Sequence, residues 1–386
     1  MSIDRITTIG LGLIGGSVAL AARRAMPGVA LRAVDTSPDT IAYALEHGIV
    51  DEALQSDRAR DAGWFTTTDA LPAEGRDLVV LAAPPAQTAG WLALLAGLGY
   101  GGLVTDVCST KHLVVSAARE AMLGGARFRF VGGHPMAGSE RSGVAAASAT
   151  MFDGAYYVLT PTEATNMDAY RVVHEFVTAL GARVISVDAA QHDEAVAIVS
   201  HVPHVTASAL VDLAVGRADD IGADLLRLGA GGFKDMTRIA AGDPDLWTGI
   251  CMANAPALRR GIADLGAVLE RFSGALERGD AAAVRAWLAA PADVRRALPA
   301  RWVPATAQLR ELTVPVSDRP GVVGIVTTAV SRAGCNIEDI EIDHQSEETA
   351  VLRLVLTDEG DSDALIADLR ERGFDPVLVP LEEAAS

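Results

Sequence analysis

Three glycines spaced as GxGxxG, Gly10, Gly12 and Gly15, limit the fold of this 386-residue chain more than any other feature. A strand-like apolar run at 6–12 leads into them, and a helical run at 14–24 follows. In that setting the first glycine makes a tight turn and the second lets backbone approach a pyrophosphate. The third lets the helix pack closely on the strand, and the helix N-terminus faces the phosphates. Leu13 and Ile14 complete this cofactor-binding turn. Asp35 stands 20 residues after Gly15, at the end of a second strand at 31–35. Its carboxylate suits both ribose hydroxyls of NAD. A 2′-phosphate would meet roughly 4 kcal/mol of repulsion there, at 4 Å and an effective dielectric of 20. The expected cofactor is therefore NAD, with Arg32 alternating to another face. Without the flanking strand and helix, the same spacing would mark only a glycine turn.

Further strand runs at 77–84, 103–108, 128–132, 156–160 and 182–187 alternate with helical stretches, among them 38–47 and 167–180. The run at 77–84 is apolar throughout, as in a strand buried on both faces of a parallel sheet. The expected fold for residues 1–187 is an α/β Rossmann-type doubly wound sheet. Ala83 and Pro84 lie at its cofactor edge. Helical periodicity dominates from 189 to 298, with long helices at 194–215 and 258–278. Residues 188–300 thus read as an all-α substrate and dimerisation domain, whose surplus apolar face is buried in a homodimer. A linker at 299–306 precedes residues 308–386, which read βαββαβ, a ferredoxin-like order.

The formal net charge is −18, of which −11 belongs to residues 308–386 and −7 to the rest. No basic footprint for nucleic acid is present. Cys108, Cys251 and Cys335 are far apart without a CxxC pair, which argues against a disulfide framework or a zinc site and fits a reducing cytoplasm. The apolar run around 78–104 is broken by prolines and glycines, so no membrane span is expected. Of 32 basic residues only Lys111 and Lys234 are lysines. Both fall inside the stretches that carry candidate chemistry.

Those stretches are DVCSTK at 106–111, GGHPMAGSE at 132–140, SHVPH at 200–204 and GGFKDMTRIA at 231–240. His134, with a reference pKa of about 6.5, suits a general base. Ser109 can hold a substrate hydroxyl toward it, or cap the helix that follows. Arg238 offers a planar fork for a carboxylate, and Lys234 adds positive field beside it. Lys111 serves either the nicotinamide side or the fold. Asp193, Ser200, His201 and His204 fall at i, i+7, i+8 and i+11 of one helix and can share a face, lining a ligand or forming a polar helix interface. Pro203 should kink that helix.

In this order, together with GLGLIGGS at 10–17, these strings resemble the prephenate and arogenate dehydrogenases of tyrosine synthesis, over about residues 6–256. The tail, with its DRPG turn at 318–321 and GCNI at 334–337, resembles an ACT amino-acid-sensing domain. The resemblance implies NAD-dependent oxidation of the prephenate ring alcohol, loss of CO2 and formation of 4-hydroxyphenylpyruvate. It implies that Arg238 holds the ring carboxylate, that His204 meets the pyruvyl end with Ser200 and His201 beside it, and that Glu140 and Asp193 join a gating network. Trp247 would close the pocket, from a neighbouring subunit. Asp318, Gly321, Asn336 and Ile337 would receive tyrosine or another aromatic amino acid, with the loop 318–322 meeting its carboxylate. His204, a donor whether neutral or charged, favours prephenate over arogenate, whose ammonium calls for an extra carboxylate. The reading requires His134 and Arg238 to flank the nicotinamide ring. Its rivals are a β-hydroxyacid dehydrogenase using Lys234 as base, and an inactive amino-acid sensor.

Overall fold

The computed structural model describes residues 3–59, 63–65, 77–138, 141–217, 221, 228–297, 309–317, 319, 321–346, 349–357 and 360–380. Glu140, Asp318 and the expected linker at 299–306 lie outside them. The chain divides into two compact units. The first is Met1–Asp193 with Ala241–Ala253 and Gln308–Ser386; the second is Glu194–Ala240 with Asn254–Ala307. The division falls after Asp193 rather than 187. Residues 241–253 and the tail group with the first unit rather than standing apart.

The first unit is built on eight strands: β1 (Arg5–Ile9), β2 (Ala30–Asp35), β3 (Glu52–Gln55), β4 (Asp77–Leu81), β5 (Leu103–Asp106), β6 (Arg129–Pro135), β7 (Tyr156–Thr160) and β8 (Arg183–Ser186). Their order is β3-β2-β1-β4-β5-β6-β7-β8, parallel except where β7 runs against β6. Ile6, Ile9, Leu78, Val80 and Leu81 are buried, as strands covered on both faces require. The order reverses between β1 and β4, which opens a crevice at the strands' carboxyl ends. Helices α1 (Leu13–Ala25), α2 (Pro38–Glu46), α3 (Pro85–Gly97), α4 (His112–Leu123) and α5 (Met167–Ala179) cross over between strands. Ser37 and Asn166 start α2 and α5 by accepting from Thr40 N and Ala169 N.

Two elements differ from expectation in ways that matter. β6 does not stop at 132; it continues through His134 and Pro135 because these residues pair antiparallel with Val158 and Tyr157 of β7. His134 therefore sits in a strand rather than in the loop beyond one. The helix expected at 194–215 is interrupted. α6 (Ala189–Val196) passes into a π-helical turn, Ala197–His201, before α7 (Val202–Gly216). Pro203, which has no amide hydrogen, stands two residues beyond that widened turn, in the first turn of α7. The run Ala189–Gly216 spans 28 residues and is, by length and composition only, apolar enough to cross a membrane, a test that the core helix of a soluble protein also passes. The second unit adds helices Gly231–Thr237, Ala255–Glu277 and Ala281–Ala297.

The tail forms the expected βαββαβ order. β9 (Arg310–Ser317), β10 (Ile337–His344), β11 (Thr349–Leu356) and β12 (Val377–Pro380) form an antiparallel sheet in the order β10-β11-β9-β12, with helices Val322–Arg332 and Ser362–Glu371. Gly321 has φ +91°, and a Cβ there would collide with Glu163 O. Its amide donates to Thr165 O at 2.9 Å. The donor expected to meet a ligand carboxylate is thus bonded to the turn between β7 and α5. Asn336 accepts Thr357 N on its carbonyl, and Ile337 is buried in the tail core.

Candidate active site

The glycine turn is shaped for a dinucleotide. Gly10 has φ +97°, and a Cβ would meet Ala82 O at 2.6 Å. A Cβ at Gly15 would collide with Gly10 O and press on Ala82 Cβ, whereas the position a Cβ would take at Gly12 faces open space. Gly12 is the N-cap of α1 and places no side-chain cap on its first turn. A pyrophosphate fits that cradle. Leu13 and Ile14 are half-buried in the first turn. Buried Ala83 and exposed Pro84 form the β4–α3 corner facing the turn.

Asp35 has a structural duty as well. Its carboxylate accepts Leu11 N at 2.7 Å and Ser37 N at 2.9 Å, which ties the glycine turn to the end of β2. A carboxylate has about four acceptor positions, so ribose hydroxyls can still be taken. Arg32 reaches Glu52 at 3.2 Å and lies over the Trp64 ring, 4.7 Å from its centroid. Its guanidinium is engaged away from Asp35, as the strand alternation requires.

Two buried networks hold the loop after β5 and the end of β6. In the first, Asp106 and Lys111 form an ion pair, and both side chains are fully buried. Asp106 also accepts Cys108 N at 2.9 Å and Gly133 N at 3.0 Å. Lys111 Nζ donates to Gly133 O at 2.6 Å. The pair thus pins both ends of the 108–111 loop, which carries half-buried Ser109, and grips the residue before His134. Lys111 therefore serves the fold at the site. A compact ammonium suits such an enclosed position better than a broad guanidinium.

In the second network, His134 Nδ1 lies 2.8 Å from His192 Nε2, and the rings meet edge to face at 79°. His192 Nδ1 donates to Asp193 Oδ1 at 2.8 Å. Asp193 also accepts Lys111 N at 2.7 Å and His112 N at 2.9 Å, at the start of α4. Burial pushes the Asp193 carboxyl up. The His192 and backbone N–H donors outweigh this and hold it below its ordinary value. Asp193 thus contacts the start of α4 and His192. His192 was invisible in the sequence reading. Its signal was the His-Asp pair just ahead of SHVPH.

The second unit carries the other candidates. His201 is buried, with Asn254 Nδ2 3.3 Å from its Nδ1. His204 is buried and Ser200 half-buried. Burial lowers the His204 pKa, so its imidazole is neutral near pH 7. Helix Gly231–Thr237 packs on α7 within this unit and carries exposed Lys234, with Arg238 one turn further on, also exposed. Trp247 groups instead with the first unit, half-buried on helix Pro244–Ala253, which packs on α3.

Comparison with known proteins gives two consecutive family matches. Residues 18–186 match the family "Prephenate dehydrogenase, nucleotide-binding domain", and residues 188–290 match "Prephenate dehydrogenase, dimerization domain". The chain is 33% identical to the prephenate dehydrogenase of Bacillus subtilis, over 93% of each chain. It is similar to the crystal structure of Aquifex aeolicus prephenate dehydrogenase in complex with hydroxyphenyl propionate and NAD+. That match has 29% identity and a TM-score of 0.68, and it covers 77% of this chain and 98% of the other. Synechocystis arogenate dehydrogenase is also similar, at 29% identity and a TM-score of 0.62, covering 76% and 99%.

Proposed function

The chain belongs to the prephenate dehydrogenase family, and from that premise we propose that it oxidises the ring alcohol of prephenate with NAD and releases the ring carboxylate as CO2. The observation that carries the reading is His134, a half-buried imidazole at the carboxyl end of β6, with its Nδ1 held at 2.8 Å by His192. The glycine turn would hold NAD, which would supply the hydride acceptor. Gly10, Gly12 and Gly15 cradle its pyrophosphate, and Asp35 takes the ribose hydroxyls. Ser109 holds the ring hydroxyl, and His134 Nε2 takes its proton. Such a base contributes about 10²–10⁴-fold in rate.

Arg238, with Lys234 beside it, orients the ring carboxylate; a tighter clamp would oppose its loss as CO2. Once the ring carbon is a ketone, the carboxylate opposite leaves, and the ring becomes the aromatic ring of 4-hydroxyphenylpyruvate. His204, with Ser200 and His201 near it in sequence, meets the pyruvyl end, and its neutral imidazole favours a keto group over the ammonium of arogenate. Trp247, from a neighbouring subunit, closes the pocket, and Glu140 and Asp193 belong to its gating network. Support for a homodimer comes from the dimerization-domain match and from the exposed Ile198, Val199, Leu213, Ile262 and Leu269 of the second unit. A second copy covering them accounts for the apolar run at Ala189–Gly216 without a membrane. The tail is read as an ACT-like module for tyrosine or another aromatic amino acid, whose carboxylate has to compete with Thr165 for the Gly321 amide.

The test is absorbance at 340 nm when the purified protein meets prephenate and NAD. The expected result is NADH formation with one CO2 per turnover; absence of turnover overturns the reading.

A further inference from the structure

Asp193 is ionised at neutral pH and cannot donate, so His192 Nδ1 must carry a hydrogen to it. A neutral His192 then has its lone pair on Nε2, which faces His134 Nδ1. That nitrogen must therefore carry the hydrogen between the two rings, and the unprotonated nitrogen of His134 is Nε2. One buried carboxylate thus sets the tautomer of both imidazoles. Asp193 itself is anchored by accepting two amides at the start of α4.

We propose that His192 is a positioning residue for the reaction, the middle member of an Asp193–His192–His134 relay. This deepens the reading of His134 as general base and rests on it. When His134 Nε2 takes the hydroxyl proton, the ring becomes an imidazolium whose Nδ1–H already points at an acceptor. The Nδ1 proton can cross to His192 Nε2. Positive charge then rests on His192, whose Nδ1–H faces the Asp193 carboxylate, and His134 is left neutral. One proton enters at Nε2 of His134 and one crosses between the rings, so no other donor or acceptor is needed. The logic is that of a carboxylate-oriented histidine, lengthened by one imidazole.

His134 faces His192 from β6 and Asp193 from its own helix. At the start of α4, His112 and Lys111 contribute backbone amides to Asp193, while the Lys111 ammonium is paired with Asp106 of β5. His192 is 2% exposed, which keeps water from replacing it as the acceptor.

The test uses full-length enzyme with saturating NAD. His192→Phe keeps the ring volume and removes the acceptor. His192→Gln keeps an oxygen that can accept from His134 Nδ1 but takes no proton at neutral pH. The expected result for His192→Phe is a kcat lower by about 10- to 100-fold, the range for partners that orient an active group, with the KM for prephenate held. The acidic limb of its kcat/KM profile moves to lower pH, because an imidazolium at 134 has lost its acceptor. His192→Gln returns that limb toward wild type and recovers part of kcat. NAD binding, followed by fluorescence quenching, reports that both variants are folded. Wild-type kcat and profile in His192→Phe would overturn the proposal. So would equal losses in both variants with an unmoved limb, since that is the mark of packing alone. His134→Asn separates the two levels: near-normal turnover there removes the general base itself, whereas inactivity there with silent His192 variants removes only the relay.

Discussion

Lys111→Met is the sharpest perturbation of the site's scaffold. Methionine fills nearly the same volume and removes only the charge and the donors. The variant leaves the Asp106 carboxyl without its counter-ion in a position with no solvent exposure, held by Cys108 N and Gly133 N. Breaking a buried pair by removing one partner costs about 3–5 kcal/mol, because the remaining charge is uncompensated. At about 2–4 °C per kcal/mol for a unit of this size, Tm should fall by roughly 6–20 °C. The same change frees Gly133 O, next to His134, so kcat should fall in whatever fraction remains folded. Differential scanning calorimetry of Lys111→Met beside Asp106→Asn/Lys111→Met separates the causes. The double variant, with no orphan charge, should recover a large part of the lost Tm. If Lys111→Met alone lies within about 2 °C of wild type, or if the double variant is the worse of the two, the argument that an orphaned carboxylate dominates is refuted.

Other expectations follow from the same geometry. Asp35→Ser should relax the preference for NAD over NADP, read as the ratio of the two kcat/KM values; it should also loosen the glycine turn, since Leu11 N loses its acceptor. Because the Asp193 carboxyl is held below its ordinary value, its contribution to stability is fully present above about pH 4 and is lost as pH falls through the lowered folded value. Asp193→Asn should flatten the acid-unfolding curve followed by circular dichroism, and an unchanged curve counts against the assignment. In the tail, Gly321→Val should disturb the contact with Glu163 and alter any inhibition of turnover by tyrosine. Inhibition identical to wild type would place the inhibitor elsewhere.

Most of the nucleotide-binding unit was legible because its signals are local. A glycine turn, an acidic residue at a strand end and uninterrupted apolar strands each state their role within a few residues. His134, singled out by its chemistry, was expected in a loop but lies in β6, because the pairing that extends β6 comes from β7, more than twenty residues later. The α6–α7 interruption was half legible: Pro203 announced a defect, but not that it would take the form of a wide turn. The roles of Lys111 and His192 were hidden for the same reason. Each depends on partners brought together by the sheet, Asp106 with Gly133 in one case and His134 in the other. The shortage of lysine elsewhere marked Lys111 as special without saying why. The tail's fold was readable, whereas the bond from Gly321 to Thr165 joins segments about 155 residues apart, and nothing local announces it.

The most direct test of the central claim compares NADH formation from prephenate by the wild-type chain and by His134→Asn, at equal NAD saturation and across pH. The account predicts a fall of about 10²–10⁴-fold in kcat for His134→Asn, and loss of the acidic limb that reports the base. Turnover near the wild-type rate with the limb intact would contradict it.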